Sequence, residues 1–134
     1  MKKLLVFFFS FLFLLIVKIS FAQGIYFCEK YDYAKDEPIG RATTFKPGIV
    51  AFVIDAIKPF GVNELEITVA RDKEESVMTF DIDVTPEEQG AVMDDSGMVF
   101  KKKGKYDVVV YSFHYSGEDT VVDKIIAVGS FEIR

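Results

Sequence analysis

The sequence predicts an all-β domain, a sandwich or small barrel of about seven or eight antiparallel strands behind a helical export segment. Three observations carry that reading. Apolar and polar residues alternate in short runs from Ile25 to the carboxy terminus. Gly, Pro and Asp punctuate those runs, and no stretch after Ala22 repeats its apolar residues at the helical period. Ahead of them stands Leu4 to Val17, an apolar stretch broken only by Ser10.

Met1-Lys2-Lys3 supplies a positive start to that stretch and Lys18 closes it, while Ser20 and Ala22 place small residues three and one positions before Gln23. This is the pattern of a cleavable secretory signal. The apolar run is shorter than the roughly 20 residues of a spanning helix. Cleavage after Ala22 is therefore expected, giving residues 1–22 as signal peptide and 23–134 as one domain. Phe27 before Cys28 does not fit lipid attachment.

Along the remaining chain, Ile25, Phe27, Tyr31 and Tyr33 share one parity in a first run that ends at Asp36-Glu37-Pro38 and Gly40. Arg41 to Lys46 forms a short strand closed by Pro47-Gly48. Ile49 to Asp55 is almost continuously apolar and β-branched, which suits a central strand. Leu65, Ile67 and Val69 alternate with Glu64, Glu66 and Thr68, predicting one buried and one solvated face. Met78, Phe80, Ile82 and Val84 face inward in the next run, with Thr79, Asp81 and Asp83 outward. Residues 85–97 are expected to be a loop. A long hairpin follows, with Tyr106 to Tyr115 returning through Ser116-Gly117-Glu118-Asp119 into Val121 to Ile133.

Phe100, Gly104, Tyr106, Val108 and Val110, then Ala127, Gly129, Phe131 and Ile133, resemble the closing strands of immunoglobulin-like and fibronectin-type-III-like modules. The resemblance covers about a quarter of the chain and implies an immunoglobulin-like β-sandwich. It also implies that Tyr106 forms a tyrosine corner, turning its hydroxyl back to the backbone. The paired cysteines and core Trp of antibody domains are absent, with one Cys and no Trp in the chain. The Ala22/Gln23 junction resembles signal junctions of Gram-negative bacteria.

Charge narrows the partners. The whole chain carries −5, and removing Lys2, Lys3 and Lys18 takes the mature domain to −8. Nucleic acid and anionic lipid both need cationic contacts, so neither is an expected partner. The membrane enters only through the signal peptide before cleavage. A single Cys cannot make an intrachain disulfide, so the apolar core must hold the domain together.

No catalytic or metal motif stands out, and no cofactor is expected. Asp81 and Asp83 with Glu87 or Glu88 have the donor chemistry of a hard-cation site, as does Asp94-Asp95-Ser96-Gly97. A solvated strand face and an Asx turn explain them more simply. His114, the single histidine, lies on the parity of Ser112, but no nucleophile elbow accompanies them. Cys28 lacks a thiolate-stabilising neighbour. Lys101 to Lys103 with Lys105 fit a solvated hairpin end that discourages edge pairing.

The expected function is that of an exported binding or structural module without catalysis, placed in the periplasm, at the cell surface or outside the cell. A secreted enzyme inhibitor and a carbohydrate-binding module are the alternatives. Tyr26, Tyr31 and Tyr33 are the candidate ligand-binding residues, because aromatic rings form platforms for sugars or anchors for proteins. Tyr111 and Tyr115 are further aromatic candidates. Ala91, Val92 and Met93 are the candidate partner-binding loop. The partner is expected to be a protein or a glycan.

Overall fold

Strand alternation sorts the apolar residues of this chain into two stacked layers. The computed structural model describes residues 24–73, 75–94 and 98–134. The expected signal peptide, residues 1–22, and residues 95–97 of the acidic turn lie outside them. Among the described residues there are strands but no helix. The first half holds β1 (Ile25–Cys28), β2 (Lys30–Asp32), β3 (Glu37–Ile39), β4 (Thr44–Phe45), β5 (Gly48–Ile49) and β6 (Ala51–Asp55). The second holds β7 (Glu64–Arg71), β8 (Glu75–Asp83), β9 (Gly90–Met93), β10 (Val99–Phe100), β11 (Gly104–Ser116) and β12 (Asp119–Ile133).

One layer is the three-stranded sheet β1-β6-β9, antiparallel throughout, continued by the β5–β10 pair and a Val50 N–H···O Met98 bond of 3.1 Å. The other is the five-stranded sheet β4-β12-β11-β7-β8, antiparallel except that β4 runs parallel to β12. A small β2–β3 hairpin stands apart from both. This arrangement is consistent with a β-sandwich.

The main core draws on both layers. Ile25, Phe27, Phe52 and Ile54 come from the smaller sheet, Val50 from the link between β5 and β6, and Leu65, Ile67, Val69, Val108, Val110 and Phe131 from the larger sheet. Its centre is aromatic. Tyr106 stacks on Phe131 with centroids 5.0 Å apart, and Phe131 lies 4.9 Å from Phe27 and 5.1 Å from Phe100. Gly129 lets the layers approach, since a Cβ there would stand 2.7 Å from Ile25 Cγ2. The Tyr106 hydroxyl donates to the Lys102 carbonyl at 2.6 Å, four residues upstream, which is the bond that the resemblance implied.

Four expectations need correction. The first run is not one strand, because Glu29 N–H turns to the carbonyls of Ile39 and Gly40. The parity breaks there, so Ile25 and Phe27 enter the core while Tyr31 packs on the opposite side of the sheet. The expected strand Arg41–Lys46 contracts to β4. The expected loop 85–97 contains β9, hydrogen-bonded to β6. Finally, Glu66 and Thr68 are buried, at 4% exposure each. Tyr111, opposite Glu66 in the ladder, donates its hydroxyl to Glu66 Oε1 at 2.7 Å and lies 3.1 Å from Thr68 Oγ1. Val109, Tyr111 and Val128 form a second apolar cluster, on the parity opposite that of Val108 and Val110.

Candidate functional site

The site begins with the register of the smaller sheet. Phe52 and Ile54 point into the core, so Ala51 and Val53 of the same strand point out. Across the ladder Val53 faces Tyr26 on β1 and Val92 on β9, while Ala51 faces Cys28. Cys28, Ala51 and Val53 form a small outer cluster, with Tyr26, Tyr31 and Val92 packed against it. The β2–β3 hairpin thereby lays Tyr31 over the outer face.

Local turn chemistry fixes that hairpin. Asp32 Oδ1 accepts the N–H groups of Ala34 and Lys35 at 3.0 and 3.2 Å, and Asp36 takes a φ of 52° to close the turn. Short Asx side chains tolerate and stabilise such turns. The Tyr31 hydroxyl then donates to Asp36 Oδ1 at 2.6 Å. That bond, with slight burial, pushes the Tyr31 phenol up to about 12. Tyr33 stands next to it, rings 5.3 Å apart at 62°, and is 64% exposed. Its hydroxyl reaches across to Asp94 Oδ1 at 2.8 Å, bridging residues 61 apart in sequence. The Asp94 carboxylate raises the Tyr33 phenol as well. The Tyr26 ring is covered by the Arg41 guanidinium at 4.0 Å from its centroid.

The structure therefore brings the two candidate segments together. Tyr26, Tyr31 and Tyr33 meet Val92 and Asp94 on one face. Within the expected partner-binding loop, however, only Val92 points outward. Ala91 and Met93, opposite Ile54 and Phe52 in the ladder, pack against the main core. A strand imposes that alternation, and the expected loop had no such constraint.

The other candidates lie elsewhere. Cys28 is fully buried and burial raises its thiol, which disfavours the reactive thiolate. His114 sits on the far part of the β11–β12 hairpin, its Nδ1 2.6 Å from Asp123 Oδ1. Ser112 is buried, and a register shift follows it before Phe113. Tyr111 is buried, whereas Tyr115 is exposed and packs edge-on to Phe113 at 5.4 Å. Asp81 lies opposite Glu66 on β7, and Glu88 caps the turn at Thr85 N–H at 2.7 Å. Among the described residues no three His, Cys, Asp or Glu side chains come together to hold a metal ion. Lys101, Lys102, Lys103 and Lys105 are exposed, and Lys105 N–H donates to Asp72 Oδ1 at 3.0 Å.

Sequence reasoning missed Asp36, Asp94 and Arg41 as the groups that hold the three tyrosines. Gly90-Ala91-Val92-Met93, an apolar run after a Gly, carried the signal of a short strand. No known protein family matches the chain, and no curated protein is significantly similar to it.

Proposed function

We propose that the chain is an exported, non-catalytic binding module of immunoglobulin-like architecture, acting through the aromatic outer face of its three-stranded sheet. In this reading residues 1–22 direct export and are removed, and residues 23–134 act in the periplasm, at the cell surface or outside the cell. The strand order of the two layers and the Tyr106–Lys102 bond support the immunoglobulin-like assignment.

One observation carries the site: the Tyr33–Asp94 bond joins the tyrosine hairpin to the end of β9. It holds an exposed aromatic ring in a fixed place, and rigid aromatic rings make effective binding anchors. The 62° tilt between Tyr31 and Tyr33 and the cation over Tyr26 keep the three rings from forming one continuous flat platform for a sugar. A protein partner fits the face better. As to inhibition of an enzyme, β9 offers no free apolar loop to plug a cleft.

The test is photo-crosslinking in the native cell envelope. A photoreactive residue at position 33 should capture a defined partner that the same residue at position 103 does not. Equal capture at both positions would sink the assignment of this face. Turnover of a defined substrate, abolished by one substitution, would overturn the non-catalytic reading.

A further inference from the structure

The outer face of the smaller sheet reaches its border at β9. Among the described residues β9 pairs only with β6. The direction of its backbone groups follows from the register. Ala56 N–H donates to Gln89 O at 2.7 Å, which makes that opposed pair a hydrogen-bonded one. Antiparallel pairs alternate between bonded and non-bonded. Ile54–Ala91 and Phe52–Met93 are therefore bonded, while Asp55–Gly90 and Val53–Val92 are not. On the other side, Asp55 N–H donates to Gly24 O at 2.9 Å, away from β9, as this alternation requires. Gly90 and Val92 thus turn their N–H and C=O groups outward, away from β6.

Natural edge strands usually carry Lys, Pro or an inward charge that blocks pairing. Gly90-Ala91-Val92-Met93 carries none of these. Ala91, Val92 and Met93 are only half-buried, as residues beside a missing neighbour are. Beside this edge stand the exposed Tyr33 ring, the Asp94 carboxylate that accepts its hydroxyl, and Asp55, which lies opposite Gly90 in the ladder. Asp55 is exposed and shares the outward parity of Val53.

We infer that β9 is the docking edge for an extended, basic segment of a partner protein, which adds a strand to the smaller sheet. This rests on the proposed function of the aromatic face and names the chemistry of its partner. Main-chain bonds to Gly90 and Val92 give the pairing, and alternate side chains give the selectivity. Side chains of outward parity lie beside Val92, where arginine or lysine meets the Tyr33 ring and the Asp94 and Asp55 carboxylates. Side chains of the other parity are apolar and complete the cover of Ala91 and Met93. A second copy of the chain fits this edge poorly, because its own β9 brings no cation, is followed by Asp94, and belongs to an equally acidic domain.

The probe is a short capped peptide alternating arginine and valine, titrated into the isotope-labelled exported protein. The expected result is amide shifts centred on Gly90 and Val92. Replacing arginine by glutamate, or N-methylating the amides of the peptide that would face β9, should each weaken binding by about tenfold or more. Val92→Pro should do the same while leaving the unfolding midpoint nearly unchanged, since proline is tolerated at an edge position with no ladder bond. Binding that ignores N-methylation, or no shift at Gly90 and Val92, would overturn the inference. Neutral oligosaccharides that shift Tyr31 and Tyr33 while the peptide shifts nothing would preserve the aromatic face and remove the strand. If position 33 also captures no partner by crosslinking, both readings fall.

Discussion

Tyr106 combines two requirements in one side chain. Its ring stacks on Phe131 in the core, and its hydroxyl satisfies the Lys102 carbonyl in the turn before β11. Tyr106→Phe keeps the stack and loses the bond, so thermal unfolding should show a loss of about 1 kcal/mol. Asp107, next along the strand, presents the opposite case. It is 3% exposed, its Oδ2 has no hydrogen-bond partner, and burial raises its pKa against the pull of Lys105 and Lys73. The folded chain then holds this proton more tightly than the unfolded chain. Below the ordinary value of 3.8 both states are protonated and the group costs nothing. As pH rises past that value the unfolded chain ionises first, so stability is lost until the folded group ionises too. Asp107→Asn should flatten this part of the stability profile, measured by denaturant unfolding across acid pH. A profile unchanged by the substitution would show that Asp107 does not titrate differently on folding. At the surface, Asp36→Asn should lower the Tyr31 ionisation from about 12 toward 10.0, read by ultraviolet titration of the phenols.

At the scale of elements, close approach of the two layers depends on Gly129 of β12. A β-carbon there meets Ile25 Cγ2 at 2.7 Å and the Phe27 ring at 3.2 Å. Ile25 is β-branched and stiff, so neither neighbour yields easily. Gly129→Val should destabilise by roughly 1–3 kcal/mol, the cost of overpacking a filled core, seen as a lower denaturant midpoint. The β11–β12 hairpin differs along its length. β7 pairs with β11 only as far as Tyr111, and β4 pairs with β12 only at Glu132 and Ile133. Beyond Tyr111, the ladder of Phe113 to Val122 has no third strand among the described residues. Register shifts after Val110 and Ser112 mark this change. A two-stranded ribbon alone is marginal. Amide exchange should therefore be faster at Phe113, His114 and Tyr115 than at Val108 and Val110.

For the whole molecule, net charge bears on the partner proposed for β9. Residues 23–134 carry a formal charge of −8, a balance that favours contact with basic segments over contact with a second copy. Affinity for the arginine–valine peptide should consequently fall with added salt, because the facing carboxylates are exposed and screened. Salt-independent binding would place the interaction in the apolar contacts alone.

Much of the fold was legible in the residues. The alternation at Leu65, Ile67 and Val69, and at Met78, Phe80 and Ile82, predicted inward faces that the structure contains. The length of the last hairpin was legible too, because strand period is local, while the backbone bond of Tyr106 was what the resemblance of the closing strands implied. The candidate site was legible only in part. Its three tyrosines were evident as aromatic residues, but their holders were not. Asp94 meets Tyr33 from 61 residues away, and no local pattern encodes that meeting. Glu66 and Thr68 looked solvated because alternation states which residues share a face, not whether that face is wet. Thus the sequence by itself determined the all-β class, the longer strands and their inward parity, through short-range periodicity and turn chemistry. The tertiary structure alone decided that β9 lies at an edge, that its outward groups are those of Gly90 and Val92, and that the tyrosine hairpin closes over its end. Those outcomes depend on strand order and register, which arise only when distant segments pair.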